Sequence, residues 1–243
     1  MLKNALLLWL VTLGLVVQIP ARADDDDNRL ERFQHRLPAQ AAEFSIAQIY
    51  LEQNATDGQT ETVIVAKGGD TGLRRFWLFA PDGKLVYEFK SPSSSSRNIG
   101  AREIIVESPE PSDLGVVLRA YPKGTYTFIG ETFKGEWLYS KSALSHDIPS
   151  PATITFPAQD STVSRYALTV TWGPVPGAVS YIVELKNEAN GYKLTAQVAG
   201  NENLFQAPPA WIVPNGNYQV GIFAINAAGN KTAAELTFFT AAN

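Results

Sequence analysis

The sequence predicts an all-β protein built as two tandem antiparallel β-sandwiches. Three observations support this prediction. Short apolar runs alternate with turn residues from about residue 44 onward, no long segment repeats its apolar residues with a helical period, and two prolines divide the chain near residue 150. With 243 residues, of which 45% are hydrophobic, the chain is long enough for two packed cores.

In the first half, short apolar runs predict strands at 44–51, 62–66, 75–80 and 84–90. The last two are joined by Pro81-Asp82-Gly83. Proline presets the φ angle that a turn needs at its second position, and glycine allows the positive φ that closes it. The spacing therefore predicts a β-hairpin, followed by a surface loop at the serine run 91–97.

The second half shows regular alternation of apolar and polar residues. In Leu168-Thr-Val-Thr-Trp172 the large apolar residues occupy the even positions, which is typical of a strand with one buried face. The same alternation continues in two later strands. The predicted inward residues of these strands are Tyr181, Val183, Leu185, Tyr218, Val220, Ile222 and Ala224.

The boundary between the two predicted domains lies at residues 148–151. Pro149 and Pro151 exclude both a helix and a central strand there, because proline lacks a backbone N–H. This predicts an N-terminal domain at 43–147, a linker at 148–151 and a C-terminal domain at 152–241.

Two segments of the C-terminal domain resemble the fibronectin type III family. They are Trp172-Gly-Pro-Val-Pro-Gly-Ala-Val-Ser-Tyr181-Ile-Val-Glu-Leu185 and the stretch from Pro214-Asn-Gly-Asn-Tyr218 to Gly229, similar to the B–C and F–G regions of that family. The resemblance covers about residues 150–240 and implies that Trp172 and Tyr218 are core residues. The family's integrin-binding Arg-Gly-Asp is missing from the F–G loop, so the resemblance implies no adhesion of that type.

A turn followed by tyrosine occurs in both halves. Pro122-Lys-Gly-Thr-Tyr126 matches Pro214-Asn-Gly-Asn-Tyr218, and a tyrosine at the start of a late strand is typical of the tyrosine corner of immunoglobulin-like sandwiches. We therefore predict that the N-terminal domain is also immunoglobulin-like. A jelly roll or a small barrel would fit its strands as well.

The N-terminus predicts export. Lys3, an apolar run from Ala5 to Val17 and Ala21-Arg22-Ala23 form a signal peptide at 1–23, too short in its apolar part to span a membrane. An acidic, flexible leader at 24–42 follows, with one or two helical turns as the alternative, because Leu30, Phe33 and Leu37 would share a side. We expect no membrane span after signal removal and a periplasmic or extracellular location.

Composition narrows the functional classes. Signal removal takes two of the 20 basic residues and none of the 24 acidic ones, which leaves a net charge of −6 and disfavours nucleic acid as a partner. Cysteine is absent, so neither domain has a disulfide and thiol sites are excluded. We expect no cofactor and no metal, and Asp24 to Asp27 lack the spaced oxygens of a calcium loop.

Catalytic groups are sparse in this sequence. Ser145-His146-Asp147 has the residue types of a catalytic triad, but consecutive side chains point apart, so a linker role is expected. Glycoside cleavage would need two carboxylates about 5–10 Å apart across a cleft. The candidates for such a pair lie in the first domain: Glu103, Glu107, Glu131 and Glu136.

Two surfaces are candidates for binding. Trp77, Trp137 and Tyr139 would form an aromatic platform for sugar rings if they face outward. Ile182, Phe223 and Ile225 fall on the outer face of the C-terminal domain, where apolar side chains indicate a contact surface.

We therefore expect an exported, non-catalytic binding or scaffolding protein with a protein or polysaccharide partner. The alternative is a carbohydrate-active enzyme with carboxylates in the first domain and an accessory fibronectin type III module.

Overall fold

In the part of the chain that the structure describes, the strands form three sheets that enclose two cores. The computed structural model describes residues 29–38, 41–91, 100–111, 113–166 and 168–242. The predicted signal peptide and the acidic run at 24–27 lie outside the described residues. Within them, no helix is long and apolar enough to cross a membrane.

The described residues of the first half form two short helices and seven strands, in the following order: α1 (Arg29–Arg36), β1 (Ile46–Asn54), β2 (Thr60–Lys67), β3 (Leu73–Phe79), β4 (Leu85–Lys90), β5 (Glu103–Glu107), α2 (Leu114–Ala120), β6 (Gly124–Thr132) and β7 (Trp137–Leu144).

The second half, as far as it is described, continues with eight strands and one turn of 3-10 helix: β8 (Ile154–Phe156), β9 (Thr162–Val163), β10 (Thr169–Trp172), β11 (Ala178–Asn187), β12 (Lys193–Ala199), β13 (Leu204–Gln206), the 3-10 turn (Pro209–Trp211), β14 (Asn217–Asn226) and β15 (Lys231–Thr240).

One sheet runs through both halves of the molecule. Its order is β12-β11-β14-β15-β1-β2-β5, with β9 also paired to β15, and we call it the shared sheet. A three-stranded sheet, β13-β10-β8, lies against its C-terminal part, and a four-stranded sheet, β4-β3-β6-β7, lies against its N-terminal part. The prediction of an all-β fold with two tandem sandwiches is confirmed.

The C-terminal core follows the predicted alternation. Leu168, Val170 and Trp172 are buried, and so are all seven residues predicted to point inward from the two later strands. Trp172 packs edge-on against Tyr181, with 5.4 Å between ring centroids. A strand with one apolar face buries that face as a unit, since its side chains alternate between the two sides.

The turn-and-tyrosine motif occupies equivalent places in the two sandwiches but uses its hydroxyl differently. Tyr126 donates to the carbonyl of Pro122 at 3.0 Å. Tyr218 instead accepts from the backbone N–H of Val213 at 2.8 Å. Both tyrosines are fully buried and tie the strand start to the chain just before it, as expected of a tyrosine corner.

The hairpin at Pro81-Asp82-Gly83 forms between β3 and β4. Gly83 adopts φ of 82°, and the N–H of Ala80 donates to the carbonyl of Lys84 at 2.8 Å.

Helix α2 was not expected from the sequence. At seven residues it is too short to show a helical period, although Asp113 caps it by accepting from the N–H of Gly115.

The leader prediction needs correction for residues 29–37. Arg29–Arg36 is a helix, and Leu30, Phe33 and Leu37 pack against the four-stranded sheet. A short segment becomes ordered when its apolar face covers apolar surface, and the sequence does not show that the sheet offers such a surface. The helical alternative therefore holds for this part of the leader.

Candidate binding face at the junction of the two sandwiches

The two sandwiches join edge to edge. Strand β1 of the first half pairs in parallel with β15 of the second, with Glu52 opposite Lys231 and Asn54 opposite Ala233. Such parallel pairing between strands far apart in sequence has no local signal. It creates one continuous sheet surface that faces away from both cores, and we call this surface the open face.

Hydrogen bonds from the loop between β14 and β15 hold the junction. Asn230 is fully buried. Its amide oxygen accepts from the N–H of Leu51 at 2.8 Å, and its amide nitrogen donates to the carbonyls of Ser145 and Asp147 at 2.9 and 2.7 Å. Asn226 also donates to the carbonyl of Asp147, at 2.6 Å. This loop therefore holds the two halves of the chain together.

An ion pair lies on the open face across the junction. Lys231 Nζ is 3.0 Å from Glu52 Oε2, 3.0 Å from the Tyr50 hydroxyl and 4.2 Å from the centre of the Tyr50 ring. Burial alone would lower the pKa of Lys231, but the Glu52 charge and the Tyr50 hydroxyl hold it above its ordinary value. The lysine therefore stays protonated, and its charge is paired with that of Glu52 from the first half.

Beside this ion pair the open face carries an acidic groove of about 230 Å³. Phe223 forms an apolar part of its lining, and Lys193, paired with Glu184 at 2.8 Å, is its basic residue. Six carboxylates from both halves line the groove: Glu52, Asp57, Glu61, Glu110, Glu184 and Glu235.

The groove carries more negative than positive charge. The pKa of Glu61 is raised from its ordinary 4.5 to about 7, first by burial and then by the charges of Glu107, Glu110 and Glu52, while Lys231 opposes the shift. No ion pair to Glu61 forms among the described residues. A cationic group placed here would relieve this repulsion.

The predicted contact face lies on this surface. Ile182 pairs with Phe223 across β11 and β14, and Ser180 pairs with Ile225. All three apolar side chains are half-buried, Phe223 lines the acidic groove, and Ile225 lines a second hollow that also contains Tyr50 and Lys231. The two halves meet at the edge of β15 and not across these side chains, whose role as a contact face stays a prediction.

The three residues of the predicted aromatic platform lie in one cluster, but that cluster is covered by other residues. Trp77 and Trp137 are stacked, with 6.1 Å between their centroids and 17° between their planes, and Tyr139 lies in the same cluster. Helix α1 covers them, and Trp77 is only 3% exposed. A platform for sugar rings needs accessible ring faces, so Trp77 does not serve as one while α1 is in place.

The candidate catalytic side chains either form hydrogen bonds and ion pairs of their own or lie in different sheets. His146 Nε2 lies 2.8 Å from the carbonyl of Tyr121, and Ser145 Oγ accepts from the N–H of Asp147. Both side chains therefore hold the backbone immediately before the linker. Glu131 pairs with Arg74 at 3.4 Å and belongs to the four-stranded sheet, whereas Glu103 and Glu107 lie on β5 of the shared sheet. Within the described ranges, no group of three or more His, Cys, Asp or Glu residues could hold a metal ion.

Sequence reasoning found the apolar part of the open face and missed its acidic part. Phe223 stands out because it is apolar at an outward position of a single strand. Glu52, Glu61 and Glu110 belong to the other half of the chain, where they are ordinary surface carboxylates by sequence. Only the pairing of β1 with β15 brings them beside Phe223.

Comparison with known proteins gives similar solved structures only. No family model and no curated protein matches the chain. A two-domain fibronectin type III segment of chicken tenascin is 15% identical over 82% of this chain and 97% of its own, with a TM-score of 0.32.

Two further structures contain the same kind of domain. The FN1–FN3 domains of chicken contactin (CNTN1) are 14% identical over 83% of this chain and 69% of their own, with a TM-score of 0.35. The fibronectin type III domain of human collagen alpha-1(XX) is 24% identical over 41% of this chain and 90% of its own, with a TM-score of 0.31. These are domains of the kind that residues 150–240 resemble.

Proposed function

We propose that this protein is an exported, non-catalytic binding protein that recognises a cationic segment of a partner protein on the open face. The observation that carries the proposal is the acidic groove. It is built by both sandwiches and combines six carboxylates with the ring of Phe223. It contains Glu61, whose pKa is raised to about 7 by burial and then by the neighbouring carboxylates.

The form of the groove favours binding over catalysis. A rigid surface assembled from strands gives fixed positions to its side chains, which reduces the conformational entropy lost on binding. An acidic surface speeds the encounter with a basic partner and rejects acidic ones. Phe223 adds an aromatic ring to the charged lining of the groove, and buried aromatic side chains contribute strongly to binding at interfaces.

The proposal is tested with the mature chain and an array of peptides that vary in lysine and arginine content, alongside a glycan array. We expect cationic peptides to be retained, with affinity that falls as salt rises. The double variant Glu61→Gln, Glu110→Gln should weaken that retention about three- to tenfold, as should Phe223→Ser. Binding should also strengthen as pH rises through about 7, because Glu61 then becomes charged.

The matched control is Glu202→Gln, which removes one negative charge at an exposed turn away from the groove. It should leave peptide binding unchanged. Retention of glycans without retention of cationic peptides would refute the protein-partner proposal in favour of a polysaccharide. Equal loss in Glu202→Gln and the groove variants would show a general charge effect and not a site.

A further inference from the structure

Strand β3 is apolar on both of its faces. Phe76 and Leu78 point into the core between the sheets, while Trp77 and Phe79 point to the opposite side, where they are 3% and 0% exposed. A sheet face of this kind requires a cover, because large aromatic side chains do not remain in water when a partner is available. We call the covered surface, formed by Trp77, Phe79, Leu85, Ile129, Trp137 and Tyr139, the aromatic face.

The cover is helix α1. Leu30, Phe33 and Leu37 are spaced i, i+3 and i+7, which places them on one side of the helix. The Phe33 ring lies 4.6 Å from the ring of Trp77 and 5.6 Å from that of Phe79, centre to centre. Arg29 adds an ion pair with Glu88 of β4 at 2.7 Å. The contact is a helix lying on an apolar sheet face.

The helix depends on this contact. It has eight residues, none of them buried, and an isolated helix of that length is unstable in water. Its ion pair to Glu88 is partly exposed on both sides and so is weak. Release of α1 would therefore unfold only this short segment and leave the strands of the four-stranded sheet paired.

The fit between the helix and the aromatic face is incomplete. The Trp77 indole N–H is buried beneath α1 and finds no acceptor among the described residues. A buried donor without an acceptor is unfavourable, and indole nitrogens usually find one when they are buried. Another ligand that offers an oxygen at this point would make a bond that α1 does not make.

We propose that the aromatic face is a second binding site, for an amphipathic helix of a partner protein, and that α1 occupies it as an intramolecular competitor. The partner helix carries apolar residues with the Leu30, Phe33 and Leu37 spacing. In the free protein α1 closes the site. The partner displaces it by making the same apolar contacts and by accepting from Trp77.

The tether explains how a weakly held helix keeps the site closed. A covalently attached segment acts at an effective concentration in the millimolar range for short flexible connections, so a partner must exceed that advantage. Weakening α1 removes the competition without altering the site, and the apparent affinity for the partner then rises in proportion. This increase distinguishes a closed binding site from a permanent piece of the core.

The experiment uses the mature chain and a labelled synthetic peptide of residues 29–38 as the probe. Phe33→Asp removes the central ring of α1 and should increase the apparent affinity for the peptide about tenfold or more over the unchanged protein. Adding Trp77→Ala to that variant should abolish the gain. The matched control, Gln34→Asp, places the same charge on the exposed side of the helix and should change nothing.

A second variant protects the test from misfolding. Arg29→Gln removes the partner of Glu88 from α1 but leaves Glu88 available to the Arg29 of the peptide, and it touches no apolar surface. It should raise peptide affinity about two- to threefold even if far-UV circular dichroism shows that Phe33→Asp does not fold. Equal peptide binding by the unchanged protein and by the folded variants would overturn the proposal. So would retention of glycans, but not of the peptide, by Phe33→Asp.

Discussion

The two sandwiches of this protein close their cores in different ways. The C-terminal sandwich buries one face of each central strand against its own second sheet, and its half-buried outward residues face the open side. The N-terminal sandwich has a strand, β3, that is apolar on both faces, and it uses helix α1 to cover the second of them. It also shares its β1 edge with the neighbouring sandwich.

This difference shows where the molecule can change. A sandwich with one core per pair of sheets is cooperative, because loss of one strand exposes the whole core. A surface covered by a short helix can open locally at small cost. We therefore expect local opening in the N-terminal half and not in the C-terminal half. Both candidate binding sites include residues of the N-terminal half.

The largest effect is expected in the C-terminal core. Trp172→Ala removes a fully buried indole that contacts Tyr181 and should destabilise this sandwich by about 3–5 kcal/mol. Thermal unfolding followed by near-UV circular dichroism should show an unfolding transition that is lost or shifted strongly downward. The control Tyr192→Ala removes an aromatic ring that is 71% exposed and should have little effect. An unchanged melting curve for Trp172→Ala would contradict this core.

An intermediate effect is expected at the junction. Asn230→Ala leaves the N–H of Leu51 and the carbonyl of Ser145 without their buried partner, which should cost about 2–4 kcal/mol. Calorimetry should show the two sandwiches melting separately, and proteases should cut more rapidly at 145–151. Asn201→Ala, at an exposed turn, is the control. If the halves still melt together at an unchanged temperature, these hydrogen bonds do not couple them.

The smallest effect is a dependence on pH. The raised pKa of Glu61 means that the folded protein holds this proton more tightly than the unfolded chain does, so folding is penalised progressively as pH rises from 4.5 to about 7. Glu61→Gln should therefore raise the melting temperature by about 1 °C at pH 8 and leave it unchanged at pH 4, since solvent screens a half-exposed group. A gain that is equal at both pH values would point to a cause other than charge.

Local pattern was sufficient for most of the fold. The alternation through Trp172 and Tyr218 predicted strands and their buried faces, and the Pro81-Asp82-Gly83 hairpin formed because the turn residues alone specify it. Helix α1 was misjudged since its order depends on Trp77 and Phe79, which lie far along the chain. The two-sided apolar pattern of 76–79 is the signal that a cover was needed.

The candidate sites were predictable only in part. The outward position of Phe223 follows from period-two alternation within one strand. Its neighbours Glu52 and Glu61 do not, because they lie more than 160 residues away in sequence and approach it through an edge pairing. Edge pairing is made by backbone N–H and C=O groups, which every residue except proline carries, so side-chain patterns do not encode it.

The amino-acid sequence by itself therefore determined the class of fold, the two cores and the tyrosine corners, because these depend on the period of apolar residues and on local turn chemistry. The tertiary structure alone decided that the sandwiches share a sheet, that their carboxylates gather beside Phe223, and that α1 closes the aromatic face. Each of these depends on contacts between distant segments, whose free energy arises only when the whole chain has folded.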